Sequence, residues 1–148
     1  MTISAGIIPY SYYNGELMFF AGHPGGNKTN YWSLLKGQHE EHENLIDTAI
    51  REFKEESTID LSKYKDKLVD LGEVVQSKVK KVHAFALRLE HISDIDPRKC
   101  KSNMADNCPW PEIDKYCWMN YENLVQKTHK THKVFYDKIL EIENYGRA

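Results

Sequence analysis

The 148-residue sequence has no apolar run approaching about eighteen residues, so no segment reads as a membrane-spanning helix. Its first residues, Met1-Thr2-Ile3-Ser4, lack the positive flank and apolar stretch of a secretory leader. A cytoplasmic protein without a membrane partner is the expectation. Cysteine is scarce. Cys100, Cys108 and Cys117 are odd in number and fit neither a disulfide framework nor paired zinc knuckles, so they read as reduced thiols. No repeat, low-complexity tract or Pro/Ser-rich linker interrupts the chain, and residues 1–148 are expected to form one domain. What remains is the balance of a globular protein, 41% apolar and 28% charged. A chain of this size buries about 69% of its unfolded surface, so it needs no covalent staple.

The net charge of −2 hides a segregation along the chain. From Lys36 to Asp60 eight acids face three bases, a local balance of −5. From Ser77 to Lys101 seven bases face three acids, a local balance of +4. Like charges this dense repel unless something offsets them. A bound cation would do so for the acidic stretch, and so would plain solvent.

The local pattern predicts alternating strands and helices. Apolar and aromatic runs at 3–12 and 16–21 flank Asn14-Gly15, the pair that favours a two-residue hairpin turn. Gly22-His23-Pro24-Gly25-Gly26-Asn27 reads as a loop. A short strand is expected over 31–35, broken by Gly37. From Asn44 the period changes: Leu45, Ile46, Ala49, Ile50 and Phe53 recur at helical spacing to about Ser57. Strands follow at 68–76 and 79–89, joined around Ser77-Lys78, then a long loop over 91–111. A last strand at 113–119 and helices at 121–127 and 133–145 complete an α/β or α+β layered domain.

Glu52, Glu55 and Glu56 gather at one edge of the middle helix's apolar arc, because residues three and four apart are neighbours on a helix surface. Three adjacent carboxylates are unfavourable without a counterion. Oxygen-rich acidic sites suit Mg²⁺ or Mn²⁺, which complete their shells with water and substrate phosphates.

Gly37, then Glu43 after five residues, then Arg51-Glu52-Phe53-Lys54-Glu55-Glu56 after seven more, with Thr58-Ile59 beyond one further residue, resembles the Nudix box of the Nudix hydrolases. Trp32-Ser33-Leu34-Leu35-Lys36-Gly37 is similar to the strand that delivers that box in family members. The sequence departs at Thr58, where the family usually has glycine, and at Leu35, where some members have proline. The stretches His23-Pro24-Gly25-Gly26, Leu71-Gly72-Glu73, Lys101-Ser102-Asn103 and Trp110-Pro111-Glu112 resemble a bacterial subgroup of the family.

The resemblance implies a Nudix-type α/β/α sandwich with a mixed sheet. It also implies Mg²⁺- or Mn²⁺-dependent hydrolysis of a pyrophosphate bond in a nucleoside diphosphate linked to another group. By position, Glu55 and Glu56 would be principal metal ligands, Glu52 a ligand or the general base, and Glu43 a supporting acid. Arg51 would orient Glu52, and the Gly37 carbonyl would face the metal. In several family members the base lies outside the box, which brings in Glu112 and Asp114. Lys36 beside Gly37 leans towards dinucleoside polyphosphates, with nucleoside triphosphates and nucleotide sugars left open.

Other residues carry both a functional and a plain reading. His39 and His42 lack the partners of a zinc site and fit the mouth of a substrate site. Lys36, His39, Trp32 and His83 are the expected substrate-binding set, although a histidine on a strand or a core tryptophan is the plain alternative for the last two. Tyr31 and Trp110 share the choice between base stacking and core. The Gly22–Gly26 loop lacks the lysine and hydroxyl of a P-loop. Lys127, Lys130 and Lys133 with His129 and His132 would track an RNA if they are more than a solvated face. RNA processing, or nucleotide or RNA binding without turnover, is therefore the second reading; oligomeric state is not readable from the sequence.

Overall fold

The computed structural model describes residues 1–145; the last three positions of the expected 1–148 unit lie outside the described residues. The expected opening hairpin is formed by β1 (Thr2–Tyr13) and β2 (Glu16–Pro24), which pair antiparallel. Asn14 (φ 50°) and Gly15 (φ 79°) supply the two positive dihedrals that such a turn requires. After β3 (Leu35–Gln38) come helix α1 (Leu45–Ser57), then β4 (Val69–Ser77) and β5 (Lys80–Arg88), then β6 (Ile113–Asn120), α2 (Tyr121–Val125) and α3 (Lys133–Glu143). Short 3-10 turns occupy Ser62–Lys67, Ile92–Asp94, Pro97–Lys99 and Lys130–His132.

The sheet has six strands in the order β4-β5-β1-β2-β6, with β3 paired to the start of β1. It is mixed: β1 runs parallel to β5 and antiparallel to β2 and β3. Strand alternation divides its side chains between two layers. Ala5, Ile7, Phe20, Leu35, Phe85 and Leu87 pack under α1 through Ala49 and Phe53. Ile8, Tyr10, Phe19, Val82 and Ala84 pack under α3 through Phe135, Tyr136 and Ile139. Helices thus cover both faces, the α/β/α arrangement expected from the box.

One expected strand is displaced. It runs Leu35–Gln38 rather than 31–35, and Gly37 lies inside it, opposite Ala5, instead of ending it. Upstream, Ser33 makes only an isolated bridge to Gly22. The glycine is there for closeness of approach: a Cβ at Gly37 would sit 1.9 Å from Cδ of Glu52. Glycine therefore serves the neighbouring carboxylate and does not break the strand. The two final helices are also shorter than the periodicity suggested, ending at Val125 and Glu143. Among the described residues no helix is long and apolar enough to cross a membrane.

Candidate active site

Helix α1 begins where Asn44 accepts a hydrogen bond from the Asp47 N–H at 2.9 Å, satisfying one of the free donors of the first turn. Its far end closes on Thr58, which takes the left-handed conformation (φ 68°) and donates its N–H to the Lys54 carbonyl at 2.7 Å. Between these ends, Glu52 and Glu56 are one turn apart on the side facing β3. They are 8% and 6% exposed, which is rare for glutamate.

The third acid arrives from far along the chain. Lys101 and Asn103 donate backbone N–H groups to the Ser57 and Glu55 carbonyls at 3.2 and 3.0 Å, strapping the long loop to the end of α1. The Asn103 carbonyl accepts the Glu112 N–H at 2.9 Å, and the Glu112 carbonyl accepts the Gly25 N–H at 2.8 Å. The Tyr116 hydroxyl donates to the Glu56 carbonyl and ties β6 to the same helix end. Together these bonds place one carboxylate oxygen of each of Glu52, Glu56 and Glu112 within 4.8 Å of the others. Asp114, the other candidate outside the box, turns instead to His23, whose Nδ1 is 2.7 Å from Asp114 Oδ1.

Arg51 organises the opposite flank. It donates Nε and Nη2 to the two oxygens of Glu43 at 3.1 and 2.7 Å, Nη1 to Glu52 Oε1 at 2.8 Å, and Nη2 to the Gln38 carbonyl at 3.0 Å. Thr48 adds its hydroxyl to Glu43 Oε1 at 2.7 Å. The fork geometry of the guanidinium fixes all three partners at once. Glu55 is 42% exposed and only 3.4 Å from the same Nη1, on the solvent side of the convergent trio.

The electrostatics differ sharply across the site. Arg51 holds the Glu43 carboxyl down at about 2. Burial pushes Glu52 up to about 7, helped by Glu55 and opposed by Arg51. Burial, and then the neighbouring Glu112 carboxyl, push Glu56 up to about 9, although the Lys36 N–H donates to Glu56 Oε1 at 3.1 Å. A site of hard oxygen donors with charge left uncompensated by the protein fits a divalent cation such as Mg²⁺ or Mn²⁺. A second acidic group, Glu40, His42 and Glu43, is more exposed, and its Glu43 is already committed to Arg51.

The expected substrate-binding residues are dispersed. Lys36 lines a cleft of about 260 Å³ together with Glu56, Glu112, Ser33 and Gly25. His39 and His83 share another, of about 560 Å³, with Asp70, Leu45, Ile46 and Phe85 on the far side of the Glu43–Arg51 pair. His83 Nε2 is engaged by Asp70 Oδ1 at 2.6 Å, and His39 Nδ1 by Thr48 Oγ1 at 2.9 Å. Trp32, placed with the substrate wall by its sequence context, is buried against His23, with Nε1 donating to Asn30 Oδ1 at 2.8 Å. Its indole belongs to the core. Trp110 is exposed and lies over Gly26. The loop that delivers Glu112 has no hydrophobic period, so its role in closing the site had no pattern of its own in the sequence.

The family model described as NUDIX domain matches residues 4–140. No curated protein sequence matches the chain. Among solved structures, a Caenorhabditis elegans Ap4A hydrolase in a binary complex is 17% identical, with a TM-score of 0.70 over 98% of this chain and 100% of its own. The NUDIX domain of Shewanella oneidensis NrtR, complexed with ADP ribose, is 12% identical, with a TM-score of 0.68 over 95% and 87% of the two chains. Escherichia coli dihydroneopterin triphosphate pyrophosphohydrolase is 18% identical, with a TM-score of 0.64 over 94% and 95%.

Proposed function

The chain belongs to the Nudix family of pyrophosphohydrolases, and on that premise we propose that it is a single Nudix domain cutting a phosphoanhydride bond of a nucleotide-derived substrate, with Mg²⁺ or Mn²⁺ held by Glu52, Glu56 and Glu112. The observation that carries this reading is the convergence of three carboxylate oxygens, two from buried glutamates, with too little positive charge from the protein to balance them. A bound divalent ion supplies neutralisation of phosphate charge and a lowered pKa for water.

The chain's own residues do the rest. Arg51 fixes Glu52 against Gly37, so that its carboxyl keeps one orientation through the cycle. Glu52 serves as a ligand or as the general base, with one carboxylate oxygen fixed by Arg51. Glu43 acts through Arg51 and is a positioning residue. Glu55 offers a further oxygen from the solvent side, and Gly37, whose Cα packs against the Glu52 carboxylate, would add its carbonyl to the donor set. Lys36, lining one cleft with Glu56 and Glu112, meets the phosphates. That placement favours dinucleoside polyphosphates and nucleoside triphosphates; one of the similar solved enzymes is named for the dinucleoside polyphosphate Ap4A and another for a pterin triphosphate.

The test is a nucleotide panel containing Ap4A, nucleoside triphosphates and ADP-ribose, incubated with Mg²⁺ or Mn²⁺ and read by product mass. Wild-type protein should release phosphate-bearing nucleotides, and Glu56→Gln should lower the rate by about a hundredfold or more, as loss of charge stabilisation at a reacting centre does. A wild-type chain inert on the whole panel, or a Glu56→Gln variant at full rate, overturns the reading.

A further inference from the structure

Three short stretches outside the box, His23-Pro24-Gly25-Gly26, Lys101-Ser102-Asn103 and Trp110-Pro111-Glu112, are far apart along the chain, yet the fold brings them to one place. Strand β2 runs antiparallel to β6 in a regular ladder, from Met18 opposite Asn120 to His23 opposite Lys115. One residue later the register shifts, and Pro24 stands opposite Ile113, so that β6 carries Asp114 as an extra residue. Such a bulge bends its strand and re-aims the side chains beside it. Proline, with no N–H to give to a ladder, suits the position. Asp114 is held at the bulge by His23 Nδ1 at 2.7 Å.

Beyond the bulge the two segments meet backbone to backbone. Gly25 donates its N–H to the Glu112 carbonyl at 2.8 Å. A Cβ on Gly25 would lie 1.7 Å from the Pro111 carbonyl oxygen, so a side chain there must displace one segment or the other. Gly25 is not among the residues with positive φ, and the glycine is there for space alone. From a second segment, Ser102 Oγ accepts the Ile113 N–H at 3.1 Å, and the Asn103 carbonyl accepts the Glu112 N–H at 2.9 Å. The backbone of Glu112 is therefore fixed at its N–H, at its carbonyl and at the N–H that follows, each time by a residue outside the box.

We propose that Gly25 and Ser102 are positioning residues for Glu112: by holding the 111–113 backbone between two neighbouring segments, they set the third carboxylate against Glu52 and Glu56 before a divalent ion binds. This rests on the reading of that trio as the metal site. Glu52 and Glu56 ride on a helix that fixes them, whereas Glu112 comes from a long connection and would otherwise have to be ordered at the moment of binding, at a cost in affinity. The Gly22–Gly26 stretch, glycine-rich like a phosphate cradle, thereby has a different task. Its Gly25 N–H is spent on a protein carbonyl, and the space left by the missing side chain is filled by protein backbone.

Mn²⁺ binding to the full chain, followed by paramagnetic resonance without substrate, tests this in Gly25→Ala, Glu112→Gln and the double variant. Gly25→Ala should bind about tenfold more weakly than wild type, the scale on which groups that orient metal ligands act, and Glu112→Gln at least as weakly. The double variant should be no weaker than Glu112→Gln alone, because a positioning residue has nothing to act on once its carboxylate is gone. A general loosening of the fold would instead add its own loss. An additive loss of about a hundredfold in the double variant therefore overturns the proposal, as does wild-type affinity in Gly25→Ala while Glu112→Gln is weakened. If Gly25→Ala does not fold, Ser102→Ala, which removes only a hydroxyl, carries the same cycle. It should cost about threefold in the wild-type background and nothing in Glu112→Gln, and no loss in the first or an equal loss in both overturns the proposal. Wild-type affinity in Glu112→Gln overturns the three-carboxylate reading itself, and this proposal with it.

Discussion

Glu43 and Glu56 are both glutamates of the acidic stretch, both shielded from water and both within one short α1-centred unit, yet the fold treats them in opposite ways. Glu43 receives two nitrogens of Arg51 and the Thr48 hydroxyl, and its carboxyl is held down at about 2. Glu56 receives one backbone N–H, faces Glu112, and is raised to about 9. On the first flank the protein brings its own cation, which completes a structural clamp. On the second it buries acids beside acids, an arrangement that is costly in isolation and becomes favourable once a divalent ion is present. Charge left open inside a fold marks where something else is meant to bind; charge closed by a guanidinium marks what holds the fold together.

The largest effect on this contrast should come from removing the internal cation. Arg51→Met leaves Glu43 buried without its partner, and breaking a buried pair costs about 3–5 kcal/mol. Because the Arg51 side chain is 30% exposed, the lower end, about 3 kcal/mol, is expected. Urea unfolding would measure it. Glu56→Gln should do the reverse in metal-free protein, holding or raising stability while abolishing Mn²⁺ binding followed by paramagnetic resonance. If both variants lost equal stability, the two flanks would not differ in kind.

A smaller effect separates the flanks by pH. Glu43 is depressed from its ordinary 4.5 to about 2, so its stabilisation is present above pH 4.5 and lost as pH falls through about 2. Glu56 is raised to about 9, so its contribution is present below 4.5 and lost as pH rises through 9; Glu52, raised to about 7, acts in the same direction. Metal-free protein should therefore lose stability steadily between about pH 5 and 9. Added Mn²⁺ should offset that loss most at the alkaline end, because binding displaces the retained protons. Urea midpoints measured at pH 5, 7 and 9, with chelator and with Mn²⁺, check the sign. A Glu56→Gln variant with the same slope would contradict it.

How much of this was legible follows the same division. The clamp and α1 lie within one continuous stretch, where helical period, capping residue and acid spacing can all be read. The layered domain followed from the apolar runs that the helices had to cover, and the mixed sheet was expected only through the resemblance of the box. Glu112 was placed only as an alternative base, because its position depends on a backbone hydrogen bond it donates to Asn103 and one it accepts from Gly25, which leave no trace in side-chain pattern. Gly37 was misread as a strand breaker because a glycine kept for close approach of another element looks the same in sequence as one that ends a strand.

Thr58 is where the box's usual glycine is missing, and the structure shows what the substitution does. The residue adopts φ 68°, the left-handed conformation glycine would take, because the last turn of α1 still closes on the Lys54 carbonyl. A side chain there costs about 1–2 kcal/mol, and β-branching puts Thr58 among the less tolerant residues. Its hydroxyl donates to the Ser57 carbonyl, and the Ser57 hydroxyl in turn donates to the Phe53 carbonyl at 2.6 Å, so local hydrogen bonds recover part of that cost. Thr58→Gly should relieve the strain while adding freedom to the unfolded chain, for a net gain of about 0.5–1 kcal/mol in urea unfolding. Turnover should not change, because the strap at Lys101 and Asn103 binds the Ser57 and Glu55 carbonyls and leaves Thr58 free of the carboxylate trio. A loss of stability would mean that the hydroxyl network, and not the backbone hydrogen bond, is what holds the helix end and with it the position of Glu56.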